Sequence, residues 1–396
     1  MPFAVYALGL AVFAQGTSEF MLSGLLSDIA TDLHVSIPAA GLLTSAFAVG
    51  MIVGAPLTAL FSRNWPRRRA LVFFLCVFCA VHVVGALTPG YGLLLATRVV
   101  GALANAGFWS VALVTAVSLA GPGARARATS VVVGGVTLAC VAGVPAGALL
   151  GGHWGWRAAF WAVALVSVPA VLVIARSVPA GRPESEPELV PVRAELRALA
   201  APRPLLTLLT MALVQGATFC AFSYVEPLAT RVTGLDPAWV PGLLALFGAG
   251  SFLGVTAAGR FADSRPVAFT LGGLVALVAG WAAFAPASGN TYATVASVLV
   301  MGMLAFGTGT ALISWVFRLA PGAPTLAGSF ATAAFNVGAA LGPWLGGLAI
   351  DAGLGFRAPL WVSALLTALA LGPALRVMAR ARAGAGAGAN AGAPAA

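Results

Sequence analysis

The sequence predicts an all-α integral membrane protein with twelve transmembrane helices in two six-helix repeats. Three observations lead there. Of the 396 residues, 60% are hydrophobic and 8% charged, with a mean hydropathy of +0.98, whereas a soluble domain carries about 25% charged residues. Apolar runs long enough to cross a bilayer recur along the chain. A crossing takes about 20 residues, so twelve use about 240 and leave about 156 for connections. Landmarks of the first half also return about 200 residues later.

Runs bounded by Arg, Pro, Gly or Asp place spans 1 to 6 at 3–26, 38–61, 70–87, 91–119, 129–151 and 158–175. Spans 7 to 12 follow at 204–225, 239–259, 267–286, 291–317, 325–349 and 358–375. The first half is then 1–176 and the second 204–380, joined by a solvated linker at 177–203 that carries Pro-linked Glu184, Glu186 and Glu188. Residues 381–396 are rich in Gly, Ala and Pro and read as a disordered tail. The first apolar run begins at Phe3 with no basic stretch before it and no small-residue cleavage site, so it reads as a retained span. Gly155-Trp156-Arg157-Ala158-Ala159-Phe160-Trp161 is echoed by Gly355-Phe356-Arg357-Ala358-Pro359-Leu360-Trp361. Pro145 with Gly151-Gly152 is echoed by Pro343 with Gly346-Gly347, and Gly54 by Gly254. Parallel repeats with a midplane site between them are a secondary-transporter plan.

Every one of the 21 basic residues is Arg, a coding bias of a GC-rich genome. Their positions carry the topology. With the N-terminus inside, seventeen fall on the inner side, Arg157, Arg231 and Arg357 fall outside, and Arg98 lies within a span. That asymmetry puts both termini in the cytoplasm of a cell-membrane protein. The net charge of +10 therefore marks loops, and no basic groove for nucleic acid is read from it.

Glu19 stands in an otherwise uncharged run, where an acid costs several kcal/mol to insert and is a functional candidate by default. A snorkelling interfacial acid is the plainer alternative. Gln15 lies one turn earlier on the same face and offers a hydrogen bond. Arg98, about 10 Å into span 4 by helical rise, cannot face lipid. It serves either as proton relay or as a structural ion-pair partner. Asn105 and Trp109 share its helix face. Gln215, Phe219, Tyr224, Trp315 and Asn336 are polar or aromatic residues available to a drug cavity, each equally at home in packing.

Enzyme chemistry has little to work with. Cys76, Cys79, Cys140 and Cys220 lie in apolar stretches, and no second Cys or His pair completes a metal site around Cys76-x-x-Cys79. His34 and His153 fall in outer loops, and His82 stands alone in span 3, so no metal is expected. Without Lys there is no phosphate loop and no ATP drive. No cofactor is expected either.

Span 5 carries Gly143-Val144-Pro145-Ala146-Gly147 and then Gly151-Gly152; span 11 carries a fuller copy, Gly338 to Gly342, Pro343, Gly346 and Gly347. Gly54 and Arg63, Arg67 and Arg68 frame the first basic loop, and Arg260, Asp263 and Arg265 its counterpart. With Arg98, these residues resemble the signatures of the major facilitator superfamily, drug:proton antiporter branch, over essentially the whole chain. The first loop departs from the family pattern: its Asp is missing, and Pro66 replaces a Gly. Gly16 to Met21, Asn105 to Trp109 and Gly134 to Cys140 look, more narrowly, like actinobacterial chloramphenicol exporters.

The resemblance implies a major facilitator fold and proton-coupled efflux of chloramphenicol, giving antibiotic resistance. It makes Glu19 and Arg98 the proton-coupling residues and the span 5 and span 11 motifs a rocking hinge. An exporter of a sugar or another small drug, or a non-transporting receptor of the same fold, is the alternative. The partners expected are a small-molecule drug, protons and the lipid bilayer, with the protein acting as a monomer.

Overall fold

The computed structural model describes residues 2–62, 65–120, 125–179, 192–262, 264–323 and 326–391. Inside a bilayer each backbone polar group needs a partner within the chain, and a helix supplies it. Among the described residues, twelve helices are long and apolar enough to cross. Spans 1 to 6 are Phe3–Gly24, Ile37–Gly54, Arg67–Leu87, Tyr91–Ala120, Ser130–Trp154 and Trp156–Ser177. Spans 7 to 12 are Pro202–Ser223, Pro237–Phe261, Pro266–Ala287, Thr291–Leu319, Leu326–Leu354 and Ala358–Met378. The hydropathy reading agrees with each to within a few residues. An even number of crossings puts both chain ends on one membrane face, called here the near face; the other is the far face.

Local chemistry sets the ends. Asn290 caps span 10, its Oδ1 accepting from the Ala293 N–H at 3.0 Å. Gly155 and Gly355 sit at φ +80° and +75° just before the first and last arginine-bearing corners, where a side chain would be strained. The repeated Gly-x-Arg motif is therefore a repeated backbone corner. In span 5 the helix widens to a π turn over Ala139–Gly143. Pro145 follows it and has no N–H to offer the Val141 carbonyl, which is a cause of such a bulge.

Two cores form. The first is built from spans 1 to 6, among them Leu8, Phe78, Phe108 and Phe160. The second is built from spans 7 to 12, among them Met211, Leu274, Trp281 and Leu312. The seam between them is shared. Phe20, Ala48, Cys140, Val144 and Ala148 pack into the second core, while Tyr224 packs into the first. Span 2 lies along span 11, and span 5 along span 8. At their closest the backbones nearly touch: a Cβ on Gly248 would lie 2.3 Å from the Cys140 carbonyl oxygen.

The linker holds structure of its own. A short helix, Val192–Leu199, is tied to the start of span 11, where Glu195 Oε2 accepts from the Leu326 N–H at 2.7 Å. The last helix runs on to Ala391, into the segment that composition assigns to the tail.

Candidate functional site

Span 1 stops being an α-helix where the chemistry begins. Its α-helical part ends at Phe20, and Met21–Gly24 tightens into a 3₁₀ turn. Carbonyls in the last helical turn lack an i+4 donor. The Ser18 carbonyl, in that turn, accepts Nη2 of Arg98 at 2.9 Å, and the Ser18 hydroxyl accepts Nη1 of the same guanidinium at 2.8 Å. Arg98 is 2% exposed, stacks over the Phe47 ring at 4.5 Å, and keeps only its Nε without a partner.

Behind Ser18 stands His82 of span 3, with Nε2 2.6 Å from the Ser18 hydroxyl and Nδ1 2.7 Å from the Phe78 carbonyl. A carbonyl only accepts, so Nδ1 carries a proton. With a neutral ring, Nε2 then accepts from the Ser18 O–H. The bonds run one way, from Arg98 to Ser18 to His82 to the Phe78 carbonyl.

Glu19 is the next residue along. It remains partly exposed, whereas Ser18 and Phe20 on either side are buried. Arg98 acts on it electrostatically, but the two form no ion pair. With both terminal nitrogens of Arg98 held by Ser18, the Glu19 carboxylate is left without a cationic partner among the described residues. Gln15, expected to bond Glu19, is buried with both amide atoms unpartnered. Asn105 is buried too; its Nδ2 reaches Met51 Sδ at 3.4 Å and its Oδ1 has no partner.

The other cavity candidates are spread more widely. Phe219 packs across the seam on Phe20, ring centroids 5.6 Å apart. Gln215 lies against Gly338 of span 11. Tyr224 donates from Oη to the Pro343 carbonyl at 2.8 Å, at the far end of the seam. Trp109 packs on the first core. Trp315 Nε1 donates to Thr270 Oγ1 at 3.1 Å, and Asn336 bonds the Thr332 carbonyl of its own helix. Arg98 therefore meets Ser18 beside Glu19, and Phe20 meets Phe219 across the seam, while Gln15 and Asn105 are buried with amide atoms open and Tyr224, Trp315 and Asn336 hold bonds of their own.

The glycine motifs share one geometry. In span 5 a Cβ at Gly143 or Gly147 would meet Thr17 or Met21 of span 1, and one at Gly151 would meet Leu25 just beyond it. In span 11 a Cβ at Gly338, Gly342 or Gly346 would meet Ala212, Gly216 or Cys220 of span 7. Each stripe is the groove in which the first span of its own half lies. Gly347 abuts Tyr224, and Gly152 faces open space.

The near-face loops carry less. Arg67 Nη1 donates to Ser118 at 2.7 Å, Arg68 and Arg265 are exposed, Arg260 lies over Phe261, and Gly54 packs on Ala106. Arg63 and Asp263 lie outside the described residues. A cavity of about 600 Å³ between spans 3 and 6, lined by Pro66, Arg68, Arg69 and Phe73, is at the opposite end of span 3 from His82.

Ser18 and His82 were invisible as a pair in the sequence, because 64 residues separate them. The available signal was that His82 is ionisable and inside a span, which by itself marks a candidate.

The family model of the Major Facilitator Superfamily matches residues 8–328. The chain is 50% identical over 372 residues to the chloramphenicol resistance protein of Streptomyces lividans, covering 94% of this chain and 95% of that one. It is 37% identical over 370 residues to the inner membrane transport protein YdhP of Escherichia coli K12, covering 93% and 94%. Among solved structures, a bacterial homolog of the human lysosomal transporter Spinster, inward-facing and unoccupied, superposes with a TM-score of 0.77 at 17% identity, covering 95% of this chain and 96% of that one.

Proposed function

The chain belongs to the major facilitator superfamily, and on that premise we propose that it exports chloramphenicol from the cell in exchange for protons. The observation that carries the reading is Glu19, a partly open acid deep in span 1, beside a buried Arg98 that it does not pair with. Half of the residues shared with a chloramphenicol resistance protein support the choice of cargo. The seventeen-to-three division of Arg supports a cytoplasmic near face and an external far face.

The two halves, 1–176 and 204–380, rock about the grooves of spans 5 and 11, with the segment 177–203 as their tether. A neutral drug gains nothing from the membrane potential, so a titrating group has to move charge through the cycle. Glu19 takes a proton from outside while the far face is open. Neutral, it lets the halves close over it without burying an uncompensated charge. Once the near face opens, Arg98 competes for the carboxylate, the proton leaves to the cytoplasm, and drug enters among Gln15, Asn105, Phe20 and Phe219. Their unpartnered amide atoms supply directional hydrogen bonds in an otherwise apolar wall.

The test compares wild type and Glu19→Gln at equal membrane abundance in a drug-sensitive host. Wild type confers chloramphenicol resistance that an uncoupler abolishes. Glu19→Gln loses it yet still exchanges drug, because the amide mimics the protonated acid. Gradient-driven export by the variant would sink the coupling role. Absence of resistance with wild type would sink the cargo.

A further inference from the structure

Arg98 spends both terminal nitrogens on a single residue, and that residue is the neighbour of Glu19. The Ser18 hydroxyl can accept from Arg98 in a stable orientation only if its own proton has somewhere to go. His82 Nε2 is that acceptor, at 2.6 Å, and the ring is itself oriented by the Phe78 carbonyl at 2.7 Å. His82 is 2% exposed and flanked by Phe78 and Phe160, so no water substitutes for it. Arg98 is the charged group that acts on the ring. The chain of donors therefore parks the guanidinium against Ser18. Without the acceptor, the hydroxyl proton would turn toward Arg98, and the guanidinium would turn to the nearest anion, Glu19.

We propose that His82, acting through Ser18, is a positioning residue that holds Arg98 off Glu19 and so keeps the acid able to take up a proton. The inference rests on the proton-coupled reading above. His82 here neither touches drug nor carries the transported proton. Its work is to choose between two partners for one arginine: Ser18 while Glu19 is to be loaded, Glu19 when it is to be emptied.

The experiment uses the full chain in proteoliposomes with radiolabelled chloramphenicol and two measurements, uptake driven by an imposed pH gradient and drug-for-drug exchange without one. His82→Leu removes the acceptor. Losing a hydrogen bond in a charged network corresponds to about a tenfold effect, so driven uptake falls about tenfold while exchange stays near wild type. His82→Gln restores driven uptake, since the amide can accept from Ser18 and donate to the Phe78 carbonyl. Ser18→Ala reproduces the leucine variant, and the double variant is no worse than either single one.

Normal driven uptake in His82→Leu, a glutamine variant no better than leucine, or losses that multiply in the double variant would each overturn the inference. Where the leucine variant fails to assemble, Ser18→Ala, which removes one atom, carries the same comparison. Driven uptake retained in Glu19→Gln overturns the coupling reading and this inference together. Uptake lost there but retained in His82→Leu overturns the inference alone.

Discussion

Ser27 donates twice to the Glu226 carboxylate, from its hydroxyl at 2.7 Å and from its backbone N–H at 3.3 Å. Ser27 follows span 1 and Glu226 follows span 7, so these bonds cross the seam between the two halves at the far face. Thr230 adds a hydroxyl from the second half. Glu226 is 8% exposed, and burial holds its carboxyl above the ordinary value of 4.5, against the opposing effect of the Ser27 bonds. Asp28 and Arg231 are the charges that act on it, the first raising it further and the second lowering it.

A pH-dependent seal follows. The closed seam raises the carboxyl, so the closed state binds the proton more tightly than an opened one. Closure is then favoured on the acid side and weakens as pH rises through the raised value. Spin labels on Ser36, just before span 2, and Ala238, at the start of span 8, should report a longer mean distance at about pH 8 than at about pH 4, the lower value lying near the ordinary glutamate value of about 4.3. Glu226→Gln should flatten that dependence. A distance that ignores pH in wild type would contradict the assignment.

The glycine grooves rank their own substitutions. A Cβ at Gly342 would lie 2.3 Å from the Gly216 carbonyl oxygen, which is backbone and cannot yield. A Cβ at Gly143 would land on Thr17 Oγ1, the end of a side chain. Overpacking costs about 1–3 kcal/mol, so Gly342→Ala should lose thermal stability in detergent and Gly143→Ala less. Adding Thr17→Ala to Gly143→Ala should recover that smaller loss, with Tm as the readout. Equal losses at the two sites would argue against the geometry.

At the far face of the first half, Arg157 pairs with Asp32, bonds the Thr88 carbonyl at 3.0 Å and lies over the Trp156 ring. The hydrogen bond from Arg157 holds the Asp32 carboxyl below its ordinary value of 3.8. Its contribution is therefore present above that value and fades as pH falls through the depressed one. Both side chains are substantially exposed, and such pairs contribute about 0–1 kcal/mol. Asp32→Asn should thus leave export intact and lower Tm slightly at pH 7, with the difference closing in strong acid. A large loss of export would show that Asp32 belongs to the transport machinery.

Orientation has a direct check. The proposed orientation, drawn from the division of Arg, has the C-terminus in the cytoplasm. A phosphatase reporter that matures only outside the cell, fused after Arg382, should remain inactive, and the same reporter inserted after Gly234, between spans 7 and 8, should be active. The reverse pattern would invert the mechanism proposed for Glu19.

Much of the fold was already written in one dimension. Hydropathy locates each crossing because a bilayer demands about 20 apolar residues whatever the neighbours are. The Gly155 and Gly355 corners, 200 positions apart, betray the repeat because a positive φ calls for glycine in both copies. Glu19 and Arg98 stand out because charge inside an apolar run is costly wherever it points. What a side chain meets across a helix interface has no such local trace. The sequence alone left His82 without a partner, Gln15 with a supposed one, and Tyr224 open between cavity contact and packing. Tertiary packing brought Ser18 of span 1 to both His82 of span 3 and Arg98 of span 4, left the Gln15 amide open, and set Tyr224 against Pro343. Composition and period determine which segments enter the membrane, whereas the closeness of backbones at glycine decides which polar atoms meet once they are there.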